Sequence, residues 1–449
     1  MPHDKPNVLF IPIDDLRPQL GCYGHRQMVT PNIDRLAGEG VVFARAYCQV
    51  PVCGATRASL LTGVRPNRSR FVDFKTWVDE DLPGSLTLPE HFRKHGYVTL
   101  SNGKVFHHLP DCAERSWTEA PWHPESSGGD WRDYVLAESR AGADPAGAGT
   151  PLECADVPDN AYVDGKTADR TIRDLQRLAD GDEPWFLAAG FRKPHLPFNA
   201  PKRYWDYYRP DDVDLADNPF PPEGVPDQAM HDWGELRAYL GMPAEGPLSD
   251  EMAGRLVHGY YAATSYTDAQ VGRVLDELDR LGLSRNTIVV LWGDHGWQLG
   301  EHGLWCKHCN FNTSLNAPLI VRYAGMGGGA TCSALVEFAD VYPTLCELAG
   351  LPLPDHLEGT SFAPLLHDKD RPWKPAVFSR YKAGDSVRTD RHLYTEWTDE
   401  GGAVTARMLY DHEADPAENH NIAALPGNEA LVEELAAVLA AGWRESVPR

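Results

Sequence analysis

Thr287-Ile288-Val289-Val290-Leu291-Trp292 runs directly into Gly293-Asp294-His295-Gly296. A row of apolar and β-branched residues that ends in a glycine-containing turn predicts a strand buried on both faces of a sheet. Residues 256–281, which precede it, carry apolar side chains at spacings of three and four and predict a long amphipathic helix. A helix that leads into a fully buried strand is typical of an α/β protein with a mainly parallel sheet.

The same alternation extends in both directions along the chain. Further strands are predicted at residues 8–13, 41–43, 97–100, 185–189 and 319–321, and further helices at 31–36 and 163–178. We therefore predict an α/β sandwich in residues 1–366, with a large, mainly parallel central sheet flanked by helices. Short strands at 377–379, 386–388, 393–395 and 408–410 and a final helix at 428–443 predict a small α+β domain with an antiparallel sheet in residues 367–449.

The chain is strongly acidic. Its 449 residues include 42 lysines and arginines against 65 aspartates and glutamates, so the formal net charge is −23. Nucleic acids and anionic membrane surfaces are bound by basic surfaces, so neither is expected as a partner. Taken alone, the charge also predicts that an anionic substrate is disfavoured.

The sequence has no run of 18 apolar residues and no signal-peptide pattern at its start. As it stands, it predicts a cytoplasmic protein, or a periplasmic or secreted one if a leader has been removed. The nine cysteines are scattered and odd in number, which predicts mostly free thiols.

Charged side chains follow two of the predicted strands at the point where each strand ends. Asp14 and Asp15 follow the first strand, and Asp294 and His295 follow the strand at 287–292. Open α/β sheets bind ligands at the carboxyl ends of their strands. Either pair alone is more typical of a capped turn, but three carboxylates and an imidazole together predict a divalent cation. Oxygen ligands favour calcium or magnesium, and the imidazole admits manganese.

A second motif is Cys53-Gly54-Ala55-Thr56-Arg57, followed by Thr62-Gly63. Cys53 opens a short helical stretch, and Arg57 follows four residues later on the same side of the helix. A helix N-terminus stabilises anions, so Cys53 is a candidate activated thiolate. The alternative is a buried structural cysteine.

This motif resembles the signature of the type I sulfatases, a branch of the alkaline phosphatase superfamily. The resemblance implies an alkaline-phosphatase-like fold and conversion of Cys53 to Cα-formylglycine, whose hydrated gem-diol is the nucleophile. A formylglycine-generating maturation enzyme is therefore an implied partner. Proline is commoner than alanine at the position of Ala55, which leaves open which maturation system acts. The resemblance makes Asp14, Asp15, Asp294 and His295 metal ligands together with residue 53, and it favours calcium over manganese or magnesium.

Four further motifs resemble the iduronate-2-sulfatase-like branch of that family, and they lie at 14–24, 103–107, 193–198 and 294–303. The resemblance implies that a sulfated carbohydrate is the substrate. It assigns Lys104 and Lys307 to the sulfuryl oxygens and Arg57 to holding the formylglycine. His107 then accepts a proton from the diol, and His195 is the general acid at the leaving oxygen.

Alternatives remain open from the sequence. Phosphonate monoester and phosphodiester hydrolases of the same superfamily share the nucleophile, and a non-catalytic metal- and glycan-binding relative would leave Cys53 unmodified. Lys193 and His302 are weaker candidates for the site. Residues 109–160 and 209–250, rich in proline, glycine and aspartate, are expected to be loops that wall the site. Trp77, Trp131 and Trp297 are candidates either for stacking on a sugar or for packing.

Overall fold

A computed structural model describes residues 5–124, 132–141 and 149–448. The strands within these ranges are β1 (Asn7–Ile13), β2 (Val41–Phe43), β3 (Ala46–Tyr47), β4 (Val98–Gly103), β5 (Leu152–Ala155), β6 (Trp185–Gly190), β7 (Phe198–Pro201), β8 (Thr287–Gly293), β9 (Gln298–Leu299), β10 (Trp305–Cys306), β11 (Leu319–Arg322), β12 (Ala330–Cys332), β13 (Val336–Glu337), β14 (Ala376–Tyr381), β15 (Gly384–Thr389), β16 (His392–Thr398) and β17 (Val404–Asp411).

The α-helices within the same ranges are α1 (Pro31–Glu39), α2 (Cys53–Thr62), α3 (Val78–Asp81), α4 (Leu88–Lys94), α5 (Ala113–Ser116), α6 (Ala137–Ala141), α7 (Val163–Ala179), α8 (Lys202–Trp205), α9 (Gly234–Arg237), α10 (Asp250–Arg280), α11 (Asn312–Leu315), α12 (Val341–Leu348), α13 (Ala363–His367) and α14 (Glu429–Ala441). No helix among the described residues has both the length and the apolar character that crossing a membrane requires.

A seven-stranded sheet forms the centre of the molecule, in the order β12-β2-β11-β8-β1-β6-β4. The four strands β8, β1, β6 and β4 run parallel, and only β11 is antiparallel to its two neighbours. Alternate residues of β1 enter different cores, because Val8 and Phe10 pack on one face and Leu9 and Ile11 on the other. Burial on both faces explains the continuous apolar runs, and the predicted α/β fold is confirmed.

The C-terminal part forms the predicted antiparallel sheet, in the order β14-β15-β16-β17. Its own small core includes Tyr394, Leu409 and Leu435, the last from α14. Other residues of the sheet reach the cores of the central sheet, Val377 on one side and Met408 on the other. The division of the chain at residue 366 stays a prediction.

A buried ion network joins the two parts. Arg65 donates to both carboxylate oxygens of Glu337 at 2.6 and 2.5 Å, and Lys374 Nζ donates to Glu337 and to Asp340 at 2.7 Å. Arg65 follows α2, Glu337 ends β13, and Lys374 lies just before β14. All four side chains are buried, so each charge depends on its partners rather than on water.

Candidate active site

The strand-end residues meet because β1 and β8 are parallel neighbours that pair over their full length. Asp14 and Asp15 leave β1, Asp294 and His295 leave β8, and all four side chains are completely buried. The backbone N–H of Asp15 donates to Asp294 Oδ1 at 3.0 Å, which fixes the two turns against each other. The sheet therefore places the predicted metal ligands together at one edge, as parallel strands require.

The ring of His295 is oriented to offer a ligand atom. Its Nδ1 lies 2.9 Å from the carbonyl oxygen of Gly296, which can only accept, so Nδ1 carries the proton. Its Nε2 is buried and has no hydrogen-bond partner among the described residues. The same atom lies 3.4 Å from Asp15 Oδ1 and 3.6 Å from Asp294 Oδ1. A bare nitrogen that faces two carboxylates fits a metal ion.

The carboxylates carry more negative charge than the neighbouring cations balance. Burial raises the pKa of Asp15 well above its usual value, and Asp14, Glu235 and Asp294 add to this against the opposing effect of Lys307. The pKa of Asp14 is held well below its usual value, because Lys104 and other cations outweigh its burial. A divalent cation would compensate the excess charge at Asp15.

Ligand atoms of these residues lie close enough for one ion. Single atoms from Asp14, Asp15 and Asp294 lie within 4.8 Å of one another, and so do single atoms from Cys53, Asp294 and His295. The donor set is mainly oxygen, as calcium and magnesium prefer. The residues present therefore fit the predicted metal.

Cys53 is the first residue of α2, whose ten residues are all buried. The preceding Val52 is extended, and the helix ends at Gly63, whose φ of 66° is left-handed. A glycine fits that conformation, and it terminates the helix. Cys53 itself is 4% exposed, and this small opening faces the cavity described below.

Arg57, one turn further along α2, binds the carboxylates from behind. Its Nε donates to Asp294 at 2.9 Å and its Nη2 to Asp14 at 3.2 Å. Its Nη1 donates to the carbonyl oxygens of Lys104 and Val105 at 2.6 and 3.0 Å. The hydrogen bonds among the described residues thus tie Arg57 to the metal ligands and to the turn after β4, and none of them reaches Cys53.

The two lysines approach from opposite sides. Lys104 follows the last residue of β4, and its Nζ donates to Asp14. Lys307 follows β10, and its Nζ lies 3.2 Å from Asp15 Oδ1 and 4.8 Å above the ring of the buried Trp297. Both lysines line the cavity that contains Cys53.

Two histidines complete the predicted set. Burial, aided by Lys104, lowers the pKa of His107 to about 3, so its ring is neutral at pH 7. Its Nδ1 is buried without a hydrogen-bond partner among the described residues. The pKa of His195 is lowered well below its usual value, mainly by burial. Its Nε2 lies 3.8 Å from Asp15 and 3.4 Å from Glu235.

A cavity of about 630 Å³ opens over this group. Cys53, Lys104, His107, His195 and Lys307 line it, together with residues that the sequence did not single out, which are Val52, Phe74, Arg192, Glu235 and His308. Of these, Glu235 has the most direct contacts with predicted site residues. It lies on α9, within the loop that was expected to wall the site, and no motif marked it.

The weaker candidates do not line this cavity. Lys193 is fully buried, and its Nζ donates to the carbonyl oxygens of His195 and Pro197, so it supports the backbone of the His195 loop. His302 stacks on Phe311 with ring centroids 4.1 Å apart. Trp77 stacks on His108, Trp297 packs in the core beneath Lys307, and Trp131 lies outside the described residues.

The central sheet and its flanking helices have the alkaline-phosphatase-like fold of sulfatases. More narrowly, the chain belongs to the sulfatase family, whose model matches residues 6–351. A second model, described as the C-terminal region of N-sulphoglucosamine sulphohydrolase, matches residues 300–444. The protein is therefore a sulfuric ester hydrolase, and this family generally uses a metal ion and a formylglycine.

Individual relatives agree with this assignment. The chain is 32% identical to iduronate 2-sulfatase from Mus musculus and to that from Homo sapiens, in each case over 93% of this chain and 91% of the relative. Many solved structures share its fold, among them these two. One, in complex with its substrate D-glucosamine-2-N,6-O-disulfate, has a TM-score of 0.76 at 22% identity and covers 99% of this chain and 98% of its own. The other is the phosphonate monoester hydrolase of Agrobacterium radiobacter, with a TM-score of 0.79 at 24% identity, covering 99% and 96%.

Proposed function

We infer that the protein removes a sulfate group from a sulfated carbohydrate, with a specificity like that of iduronate 2-sulfatase. The observation that carries this proposal is one cavity lined by Cys53, two lysines and two histidines, whose lysines bind the strand-end carboxylates Asp14 and Asp15. The kinship to iduronate 2-sulfatases over nearly the whole chain supports a uronic acid 2-sulfate as the substrate class. A cavity of about 630 Å³ has room for a sugar ring or two.

Asp14, Asp15, Asp294, His295 and residue 53 would hold the metal, for which we propose calcium. Such an ion, when bound, polarises a sulfate oxygen as a Lewis acid. Arg57 holds Asp14 and Asp294 in place through the contacts described above. Because its guanidinium lies behind the carboxylates, it also limits how much negative charge the site presents to a sulfate ester.

Cys53 is the proposed nucleophilic position, through its conversion to formylglycine. The hydrated aldehyde, when formed, supplies a hydroxyl as the attacking group. The N-terminus of α2 directs its free backbone N–H groups and its positive dipole end to this point, which favours an anion there. Lys104 and Lys307, on opposite sides, bind the sulfuryl oxygens and stabilise the charge that develops on them.

The two histidines handle protons in this proposal. His107 is neutral, and the unpartnered Nδ1 in its ring accepts the proton of the second hydroxyl at residue 53, whose oxygen then expels the sulfate by C–O cleavage and re-forms the aldehyde. His195 delivers a proton from Nε2 to the oxygen of the departing alcohol. Its Nδ1 lies 2.5 Å from the carbonyl oxygen of Leu196, which fixes the ring so that Nε2 faces Asp15 and Glu235.

The test is a comparison of sulfate release with phosphonate hydrolysis by the same preparation. We expect release of sulfate from 4-nitrophenyl sulfate to exceed hydrolysis of phenylphosphonate monoesters, and the peptide that contains Cys53 to be lighter than its thiol form. Cys53→Ala should lower kcat by at least about 10³-fold, since the nucleophile is lost. Cys346→Ala, which removes another buried thiol from a helix, serves as the control and should keep activity.

A faster phosphonate reaction would favour the phosphonate monoester hydrolase alternative. Retention of turnover by Cys53→Ala would contradict the formylglycine proposal. Among sulfated sugars, a preference for a 2-sulfated uronic acid over 3-, 4- and 6-sulfated hexoses is the expected result.

A further inference from the structure

Glu235 reaches the cavity from a loop that is built to hold it there. The preceding Trp233 has a φ of 43°, a left-handed conformation that is rare for a bulky residue and is maintained by its surroundings. Trp233, Leu236 and Tyr239 are all buried in the core beside the central sheet. Glu235 lies between these anchors and lines the cavity.

Arg237 locks the same loop from its outer side. Its guanidinium lies 3.4 Å from the centre of the Trp233 ring. It donates to three carbonyl oxygens, those of Asp232, Pro243 and Gly246, at 2.6–2.8 Å. The position of Glu235 is therefore fixed by packing and by hydrogen bonds at both ends of α9.

The carboxylate of Glu235 has acceptor capacity that the described residues do not use. Lys307 donates to Oε1 at 2.9 Å, and His195 Nε2 lies 3.4 Å from the same atom. Lys307 Nζ also lies 2.8 Å from Oε2, an atom that is itself buried and has no further hydrogen-bond partner among the described residues. A carboxylate accepts about four hydrogen bonds. The side chain as a whole is 22% exposed, and Glu235 lines the cavity.

A carboxylate is an unfavourable neighbour for the sulfate group itself. Glu235 shares Lys307 with Asp15, so it reduces the positive charge that Lys307 presents to a sulfuryl oxygen. Its contact with His195 places it beside the departing alcohol in the proposed reaction. A carboxylate beside the alcohol part of the substrate strengthens binding when that part carries a hydrogen-bond donor. It repels a substrate that carries an anion at the same position.

We propose that Glu235 determines specificity by accepting a hydrogen bond from a hydroxyl or ammonium group on the carbon next to the sulfate ester, and that it excludes substrates with a second anion there. This inference rests on the proposed function and narrows its substrate class to esters with a free donor beside the sulfate. A deoxy analogue forfeits the hydrogen bond to Glu235 and a second anion is repelled by its charge, so the selection is against both.

The test uses small probes whose ring is the same and whose neighbouring group differs. These are 2-hydroxycyclohexyl sulfate, 2-aminocyclohexyl sulfate, cyclohexyl sulfate and the disulfate of cyclohexane-1,2-diol. We expect the mature, calcium-supplied enzyme to show a kcat/KM about 10–100-fold higher on the hydroxyl or amino probe than on cyclohexyl sulfate, and a lower value on the disulfate. The hydroxyl and amino probes distinguish the two kinds of donor.

The variants separate recognition from a structural role. In Glu235→Leu, kcat/KM for the hydroxyl and amino probes should fall to within about 2-fold of kcat/KM for cyclohexyl sulfate. In Glu235→Gln, the disulfate should be discriminated against less strongly than in the wild type. Glu245→Gln, an exposed glutamate on the same loop, is the matched control and should keep the wild-type ratios. A merely structural role lowers all rates together and leaves the ratios unchanged.

Equal kcat/KM values for the donor probes and cyclohexyl sulfate in the wild type would overturn the proposal, as would wild-type ratios in both Glu235 variants. Hydrolysis of 4-nitrophenyl sulfate but of none of the cyclohexyl probes would also overturn the proposal, although the proposed sulfatase reaction would stand. Release of sulfate from no ester at all would contradict the proposed function, and this inference would fall with it.

Discussion

His195 has one ring nitrogen committed to the backbone and the other turned toward the cavity. Because the carbonyl oxygen of Leu196 can only accept, Nδ1 carries a proton, and Nε2 can donate only when the ring is an imidazolium. Burial, Lys307 and Lys104 oppose that form and hold the pKa well below its usual value, whereas Asp14 and Glu235 favour it. The proposed general acid therefore depends on the carboxylates around it.

His195→Ala should separate substrates by the quality of their leaving groups. An alkoxide needs a proton as it departs, whereas 4-nitrophenolate does not, so we expect kcat to fall by about 10²–10⁴-fold on cyclohexyl sulfate and by less than about 10-fold on 4-nitrophenyl sulfate. Initial rates of sulfate release measure both. His420→Ala, an exposed histidine paired with Glu223, is the control. Equal losses on both esters would remove His195 from this role.

Sequence reasoning located side chains whose position follows from a strand and missed those placed by packing. Asp14 and Asp294 could be predicted because parallel neighbours bring their carboxyl ends together whatever the loops do. Glu235 could not, because its neighbour Lys307 is 72 residues away and the contact depends on how Trp233 and Leu236 pack. Lys307 itself was assigned by resemblance, since nothing local distinguishes it from a surface lysine.

The strands were predictable because they are buried on both faces, which makes their apolar runs continuous. Antiparallel β14–β17 were found from shorter signals, and their pairing follows their order along the chain. The short helix α9 was not predictable, because four residues carry no periodicity, and its conformation depends on a left-handed Trp233 that sequence patterns do not favour.

Arg237→Ala tests how α9 and its flanking turns are held. Loss of three hydrogen bonds and of the stacking on Trp233 should speed amide hydrogen exchange over residues 232–246 by about 10-fold or more, with little change in the thermal midpoint of the whole protein. Exchange measured by mass spectrometry reports both regions. Arg255→Ala, an exposed arginine on α10, is the matched control. Unchanged exchange would mean that the buried Trp233 and Leu236 hold the loop without Arg237.

The net charge describes the whole surface, and it led to a wrong expectation about the substrate of the site. The acidic balance predicted that an anionic substrate is disfavoured, and membership of the sulfatase family corrects this. Arg57, Lys104 and Lys307 are buried at the strand ends, where low dielectric strengthens their fields. Together with the divalent cation proposed there, these side chains exceed the charge of the buried carboxylates, whereas the acids at the surface are screened by water and salt.

The network of Arg65, Glu337, Asp340 and Lys374 should govern global stability. Lys374→Met removes one partner and leaves Asp340 and Glu337 with excess buried negative charge, so we expect the free energy of unfolding to fall by about 3–5 kcal/mol. Urea denaturation measures this change. Lys369→Met, which removes an exposed lysine paired with Asp370, should leave the midpoint unchanged. A loss under about 1 kcal/mol for Lys374→Met would show that the carboxylates are satisfied without it.

The burial of α2 has a consequence for the order in which Cys53 is modified and the chain folds. An enzyme that modifies Cys53 has to reach this residue, and in the folded protein only 4% of Cys53 is accessible. The modification proposed for Cys53 therefore has to precede folding, while the segment 53–63 is still extended. If the proposal holds, protein that folds first keeps its thiol, and we expect the active fraction of a preparation to be set during synthesis rather than by treating the folded molecule.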